Sequence, residues 1–140
     1  MSSYILYFRE EGRFENQIAW LSKNAWLYNM NQIVIDTIGG MKYSDELPVF
    51  STINEAIEFY KDYTWVFLDH RADSYIDEFD HPIDNVIYAV GSDYTGLFND
   101  KKPEGKLIKM RAREEGEHYA SLIVPILLYD RFLYLNGRRK

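Results

Sequence analysis

The stretch that decides the reading is NVIYAVGSDYTGLF, residues 85–98. A hydrophobic run of strand-like composition stops at a glycine. A hydroxyl, a carboxylate, an aromatic ring and a second glycine follow within six residues. Gly91 and Gly96 allow a tight turn with positive φ, or the close approach of another group. Ser92 and Asp93 place polar atoms where the chain leaves its core. The plain alternative is a strand-to-helix turn capped by Asp93. The spacing is not that of a dinucleotide fingerprint, and no phosphate-loop signature occurs in the chain.

Other short runs rich in aromatic and β-branched residues recur on both sides: YILYF (4–8), IVID (33–36), TWVFLD (64–69) and KLIKM (106–110). They read as strands. Several are apolar throughout, which suits strands covered on both faces. Helical patterns lie between them. Ile18, Leu21, Ala25 and Tyr28 form one stripe in residues 14–29. TINEAIEFYK (52–61) opens with Thr52 and carries Glu55 three residues on, a capping box. Residues 117–135 are apolar nearly all round from Leu122 to Leu128, so that helix must be buried on most sides, by its own domain or by a partner. Pro125 should kink it. The order β-α-β-α-β-β-β-α predicts one α/β domain over residues 1–140, with a mostly parallel sheet flanked by helices. Ligands of such sheets sit at the carboxyl ends of strands. Gly91 is placed at one such end.

Composition bounds the chemistry. The chain has 140 residues, no cysteine and a net charge of −6, so disulfides and thiolate metal sites are excluded. No run approaches membrane-spanning length, and the short apolar run at the N-terminus is no signal peptide. A cytoplasmic protein is expected. Charge is uneven: residues 41–100 hold thirteen acids against three Lys or Arg, and residues 101–140 hold ten Lys or Arg against five acids. An acidic chain is poorly suited to phosphate contacts, yet the basic final third keeps nucleic-acid binding open. The histidines, His70, His81 and His118, have no persuasive metal-ligand spacing with nearby acids. DHRADSYIDEFDHPIDN (69–85) reads as an acidic surface loop. Trp20, Trp26, Tyr28 and Trp65 read as packing or dimer contacts.

An apolar strand, then GSDYTGL (91–97), then LIKM (107–110), then EGEHYAS (115–121) entering a helix that ends in ILLYD (126–130), resembles the SPOUT, or α/β-knot, RNA methyltransferases. In that family a Gly-x-Glu-x-x-Gly-Leu loop, a strand ending in Ile-Pro-Met or similar, and a polar loop entering a Leu-Tyr-Glu helix follow one another. The closest likeness is to the compact ribose 2′-O-methyltransferases that consist of the knot domain alone. The resemblance implies a C-terminal trefoil knot, a homodimer, S-adenosylmethionine as cofactor, and RNA (tRNA or rRNA) as substrate. Neither a membrane nor DNA is implied as a partner. Carried over residue by residue, it implies cofactor contacts at Leu68, Asp69, Gly91, Ser92, Gly96, Ile108, Met110 and Ser121.

The catalytic positions depart from the family pattern. Lys23 falls where the family has an arginine, and keeps the charge without the bidentate fork. The Asn-x-Gly-Asn pattern is absent, with Asn16 its nearest remnant. Asp93 replaces the motif glutamate, and Tyr119 replaces an asparagine beside His118. Lys23, Asp93, His118 and Tyr119 are thus the implied catalytic set, with His118 able to act as a base near neutrality. Lys101, Lys102, Lys106, Lys109, Arg111, Arg113 and the tail Arg138-Arg139-Lys140 are the expected RNA-backbone contacts. The competing expectation is a knot protein that has lost the chemistry and serves as a dimeric binding module.

Overall fold

Every strand of the sheet except the first is reached by a chain that must cross or flank its neighbours, so the pairing order carries the fold. A computed structural model of the chain describes residues 2–10, 15–91, 105–113 and 120–139. Its strands are β1 (Tyr4–Arg9), β2 (Asn31–Asp36), β3 (Val49–Phe50), β4 (Thr64–Leu68), β5 (Val86–Val90) and β6 (Lys106–Ile108). They form one sheet in the order β3-β2-β1-β5-β4-β6, and every pairing is parallel. The helices are α1 (Glu15–Leu27), α2 (Ile53–Phe59) and α3 (Ala120–Leu135). β3, a two-residue edge strand beside β2, is an addition to the expected order; it is too short to leave a periodic trace in sequence.

Strand side chains alternate between the faces, as the pleat requires. Ile5, Tyr7, Val34, Val66, Leu68, Val86, Tyr88, Val90 and Ile108 pack with Leu21 and Ala25 of α1 and with Ile123, Val124, Leu127 and Leu128 of α3. Leu6, Phe8, Ile33, Ile35, Phe67, Ile87 and Ala89 pack with Ile53 and Ala56 of α2 and with Tyr60. Both faces are therefore dry, which is why these strands read as continuous apolar runs. The capping box of α2 is present: Thr52 N–H donates to Glu55 Oε1 at 3.0 Å, and Glu55 N–H to Thr52 Oγ1 at 3.3 Å. α3 runs through Pro125, which removes the N–H that would have met the Ser121 carbonyl.

The segment between β4 and β5 corrects the surface-loop expectation. Asp69, Ala72, Ile76 and His81 are buried in it, and Ile76–Glu78 forms a single 3₁₀ turn. Residues 74–76 also run along the free edge of β6: Lys109 N–H donates to Ser74 O at 3.0 Å and Ile76 N–H to Lys109 O at 2.9 Å. Alternating acids and apolar residues here mark a covering strap, with acids outward and Ile76 inward.

Candidate functional site

The carboxyl ends of three adjacent strands lie in one row. Leu68 pairs with Val90 on one side and with Ile108 on the other. The next backbone step is tied as well, because Asp69 N–H donates to Ile108 O at 3.1 Å. The register thus sets Leu68–Asp69, Gly91 and Ile108–Met110 along a single edge, three sequence-distant segments brought within neighbouring strand spacings. Leu68, Gly91 and Ile108 are buried and Met110 is half-buried. Ser121, half-buried in the first turn of α3, follows Ala120, which packs in the same cluster as Leu68, Val90 and Ile108.

Asp69 is buried but not free to meet a ligand through its carboxylate. Arg71 Nε donates to Oδ1 at 2.8 Å, Arg71 Nη2 to Oδ2 at 2.6 Å, and Arg71 N–H to Oδ1 at 2.8 Å. Burial alone would raise its pKa; the Arg71 hydrogen bonds and charge outweigh that and hold it below the ordinary carboxylate value. Among the described residues the edge is therefore mostly apolar, with the Asp69 charge offset by Arg71.

Lys23 lies elsewhere. It is exposed on α1, with Nζ 4.8 Å from the Trp26 ring centroid. The adjacent Ser22 Oγ donates to Gln32 Oε1 at 3.0 Å, so this turn of α1 stands beside the amino end of β2. Within one chain the structure does not bring Lys23 to the row of strand ends. Ser92, Asp93, Gly96, His118 and Tyr119 lie outside the described residues, as do Lys101, Lys102 and Lys140 and the side chain of Asn16. Among the described residues no group of His and acids is placed to hold a metal ion.

Two further features stand out among the described residues. The first is a polar hub under α3. His81, fully buried, meets Tyr88 Oη through Nδ1 at 2.7 Å and Asp130 Oδ2 through Nε2 at 2.8 Å. A carboxylate can only accept, so Nε2 carries the proton and Nδ1 accepts from the tyrosine. Burial pushes the His81 pKa down despite Asp130, which keeps the ring neutral. Arg139 Nη2 closes the hub on Asp130 at 2.6 Å and also donates to Phe79 O at 2.8 Å and Ile76 O at 3.0 Å. Arg131 Nη2 donates to Ile83 O at 2.7 Å. Arg139 is thus an internal clamp rather than part of a solvated basic tail, and Arg111 turns onto Asp77 and Glu78.

The second feature is an exposed apolar face. Leu122, Ile126, Tyr129 and Phe132 follow one side of α3, and Trp20, Trp26 and Leu27 lie on α1; all are exposed, Trp26 to 72%. α1 and α3 are joined by an edge-on contact of Tyr28 with Phe132. Trp20 and Trp26, read from the sequence as packing or dimer contacts, are exposed on the single chain.

The fold superposes on solved structures over nearly the whole chain. A structure described as giving insight into the 2-OH methylation of C/U34 on tRNA superposes with TM-score 0.76 at 13% identity, covering 98% of both chains. The fold is that of the SpoU-type RNA methyltransferases. The SpoU methyltransferase AviRb from Streptomyces viridochromogenes, solved with AdoMet, gives TM-score 0.73 at 14% identity over 96% of this chain and 60% of that one. The A. aeolicus TrmH/SpoU tRNA modifying enzyme gives 0.69 at 12% identity, over 99% and 78%. No family model and no curated protein matches the sequence. The SpoU-type fold is thus carried here by a sequence only 12–14% identical to those structures.

Proposed function

We propose that this chain binds S-adenosylmethionine at the carboxyl edge of β5, β4 and β6 and transfers its methyl group to RNA, at a ribose 2′-oxygen of tRNA or rRNA. The observation that carries the reading is the register that aligns Leu68, Val90 and Ile108 at one edge, in a fold shared with methyltransferases solved with that cofactor. The residues suit the group: a buried apolar row for the adenine, a glycine at the central exit for close approach, and Asp69 already neutralised by Arg71. Leu68, Asp69, Gly91, Ile108 and Met110 would hold it largely through backbone atoms, with Ser92, Gly96 and Ser121 completing the pocket. The cofactor supplies an activated methyl group. The protein's task is to hold the ribose hydroxyl in line with it at contact distance.

The same reading makes the chain a homodimer. The exposed sides of α1 and α3 each carry large apolar side chains, of the kind that marks an association surface. Lys23 lies on the exposed side of α1, next to Trp20 and Trp26, so a catalytic part for it requires the partner subunit. Asp93, His118 and Tyr119 remain the proposed groups around the reacting hydroxyl.

One observation favours the alternative of a dimeric binding module without catalysis: Lys23 stands at the amino end of the sheet, away from the aligned strand ends. Incubating the protein with methyl-labelled S-adenosylmethionine and unfractionated tRNA or rRNA separates the readings. Label in RNA, lost in the Lys23→Ala protein, supports catalysis with Lys23 taking part. Cofactor binding with no label in either RNA supports the binding module.

A further inference from the structure

The stretch that follows β4 is tied to β6 at both of its ends. At the near end Asp69 N–H donates to Ile108 O at 3.1 Å. At the far end Lys109 N–H donates to Ser74 O at 3.0 Å and Ile76 N–H to Lys109 O at 2.9 Å, with Tyr75 facing Lys109 in a parallel bridge. The backbone of Ile108 and Lys109 is thus gripped between Leu68–Asp69 on one side and residues 74–76 on the other. β6 itself has three residues, few for a parallel strand to hold its own place. These outer bonds therefore decide where it runs.

The loop between the two grips is closed by side chains. Asp69 O accepts from Ala72 N–H at 3.0 Å, which makes a turn. Asp69 Oδ1 accepts from Arg71 N–H at 2.8 Å, which makes an Asx turn inside it. The Arg71 side chain then folds back on the same carboxylate, with Nε on Oδ1 and Nη2 on Oδ2. The Asp69 side chain is wholly buried and that of Arg71 is 24% exposed. A planar fork on both oxygens admits one orientation of the carboxylate, so the turn has one geometry. Without Arg71 a buried carboxylate is left uncompensated. It must then reach water, and the turn opens with it.

We propose that Arg71 is a positioning residue for the cofactor: its fork locks the turn at Asp69, the turn sets residues 74–76 against Lys109, and the two grips fix the Ile108–Met110 backbone that would meet S-adenosylmethionine. Arg71 itself need touch neither cofactor nor RNA. The inference rests on the methyltransferase reading above and adds a residue outside the set that the resemblance carried over.

Amide hydrogen exchange in the Arg71→Gln protein reads the clamp directly. The N–H groups of Ile76 and Lys109 should exchange at least about tenfold faster than in the unaltered protein, while those of β1 and β2 keep their protection. Titration of the same variant with S-adenosylmethionine should show an affinity lower by roughly ten- to a hundredfold. Arg71→Lys, which keeps the charge without the fork, should recover only part of it. Asp69→Leu combined with Arg71→Leu removes the buried charge together with its partner. That protein should regain most of the urea resistance lost in Arg71→Gln without regaining the affinity. Unchanged exchange at Ile76 and Lys109, or unchanged affinity, in folded Arg71→Gln overturns the proposal. Affinity that returns together with stability in the double variant also overturns it, and makes Arg71 a stabilising residue only. Failure of the unaltered protein to bind S-adenosylmethionine defeats the methyltransferase reading instead, and the exchange result then judges the clamp on its own.

Discussion

The two ends of α3 meet opposite kinds of surroundings. Near its start lies the edge formed by Leu68, Gly91 and Ile108, whose described side chains are apolar apart from the paired Asp69 and Arg71. Along its second half, Asp130, Arg131 and, just beyond, Arg139 are tied to His81, Tyr88 and the carbonyls of Ile76, Phe79 and Ile83. The first region is the one proposed above to receive the cofactor. The second is suited to holding the helix against the 69–85 strap, because its buried polar groups are costly to leave unpaired. The proposed cofactor edge and the polar hub are separated along one helix, and variants should separate them too.

The largest effect is expected at the outer face of α3. Ile126→Asp places a charge amid exposed Leu122, Tyr129 and Phe132 and should weaken self-association at least about a hundredfold. Sedimentation should show a folded monomer where the unaltered chain gives a dimer; a monomer in both would remove the dimer from the account. Next is the hub. His81→Ala leaves the Tyr88 hydroxyl and Asp130 without their shared partner and opens a cavity, at a cost of about 3 kcal/mol. Urea unfolding measures this, and a loss below about 1 kcal/mol would mean that the hub does not hold the helix.

Gly105 should matter less. It enters β6 with φ +119°, and a Cβ there would meet the Phe67 ring at 3.2 Å. Gly105→Ala should cost about 1–3 kcal/mol, and should lower cofactor affinity only as far as β6 is displaced. An equally stable variant would contradict the backbone geometry. The mildest test is pH. The folded pKa of His81 lies below its ordinary value, so its contribution to stability is complete above about pH 6.5 and declines as pH falls toward the folded pKa. Asp36 and Asp69, also lowered, add a further decline below about pH 4. In His81→Gln the decline between about pH 6.5 and 4 should be absent; its persistence there would assign it to other groups.

The sheet was legible because burial on both faces wrote apolar runs into β1, β2, β4 and β5, and the capping box announced α2. Gly91 was legible as the end of a strand, whereas its grouping with Leu68 and Ile108 was implied only by the family resemblance. The hub was not legible. His81 sits among Asp77, Asp80 and Asp84 in sequence, and only the fold brings Asp130 and Tyr88 to it from 49 and 7 residues away. Whether Trp20 and Trp26 pack inside or on a partner was left open by the sequence, because either kind of contact has the same spacing.

The central claim is that the carboxyl edge of β5, β4 and β6 is a cofactor pocket, and calorimetric titration of the purified protein with S-adenosylmethionine tests it most directly. Saturable binding of about one molecule per subunit, competed by S-adenosylhomocysteine and weakened by Gly91→Val in a folded protein, is the expected result. No heat of binding with either ligand, in a protein shown to be folded, would contradict the claim.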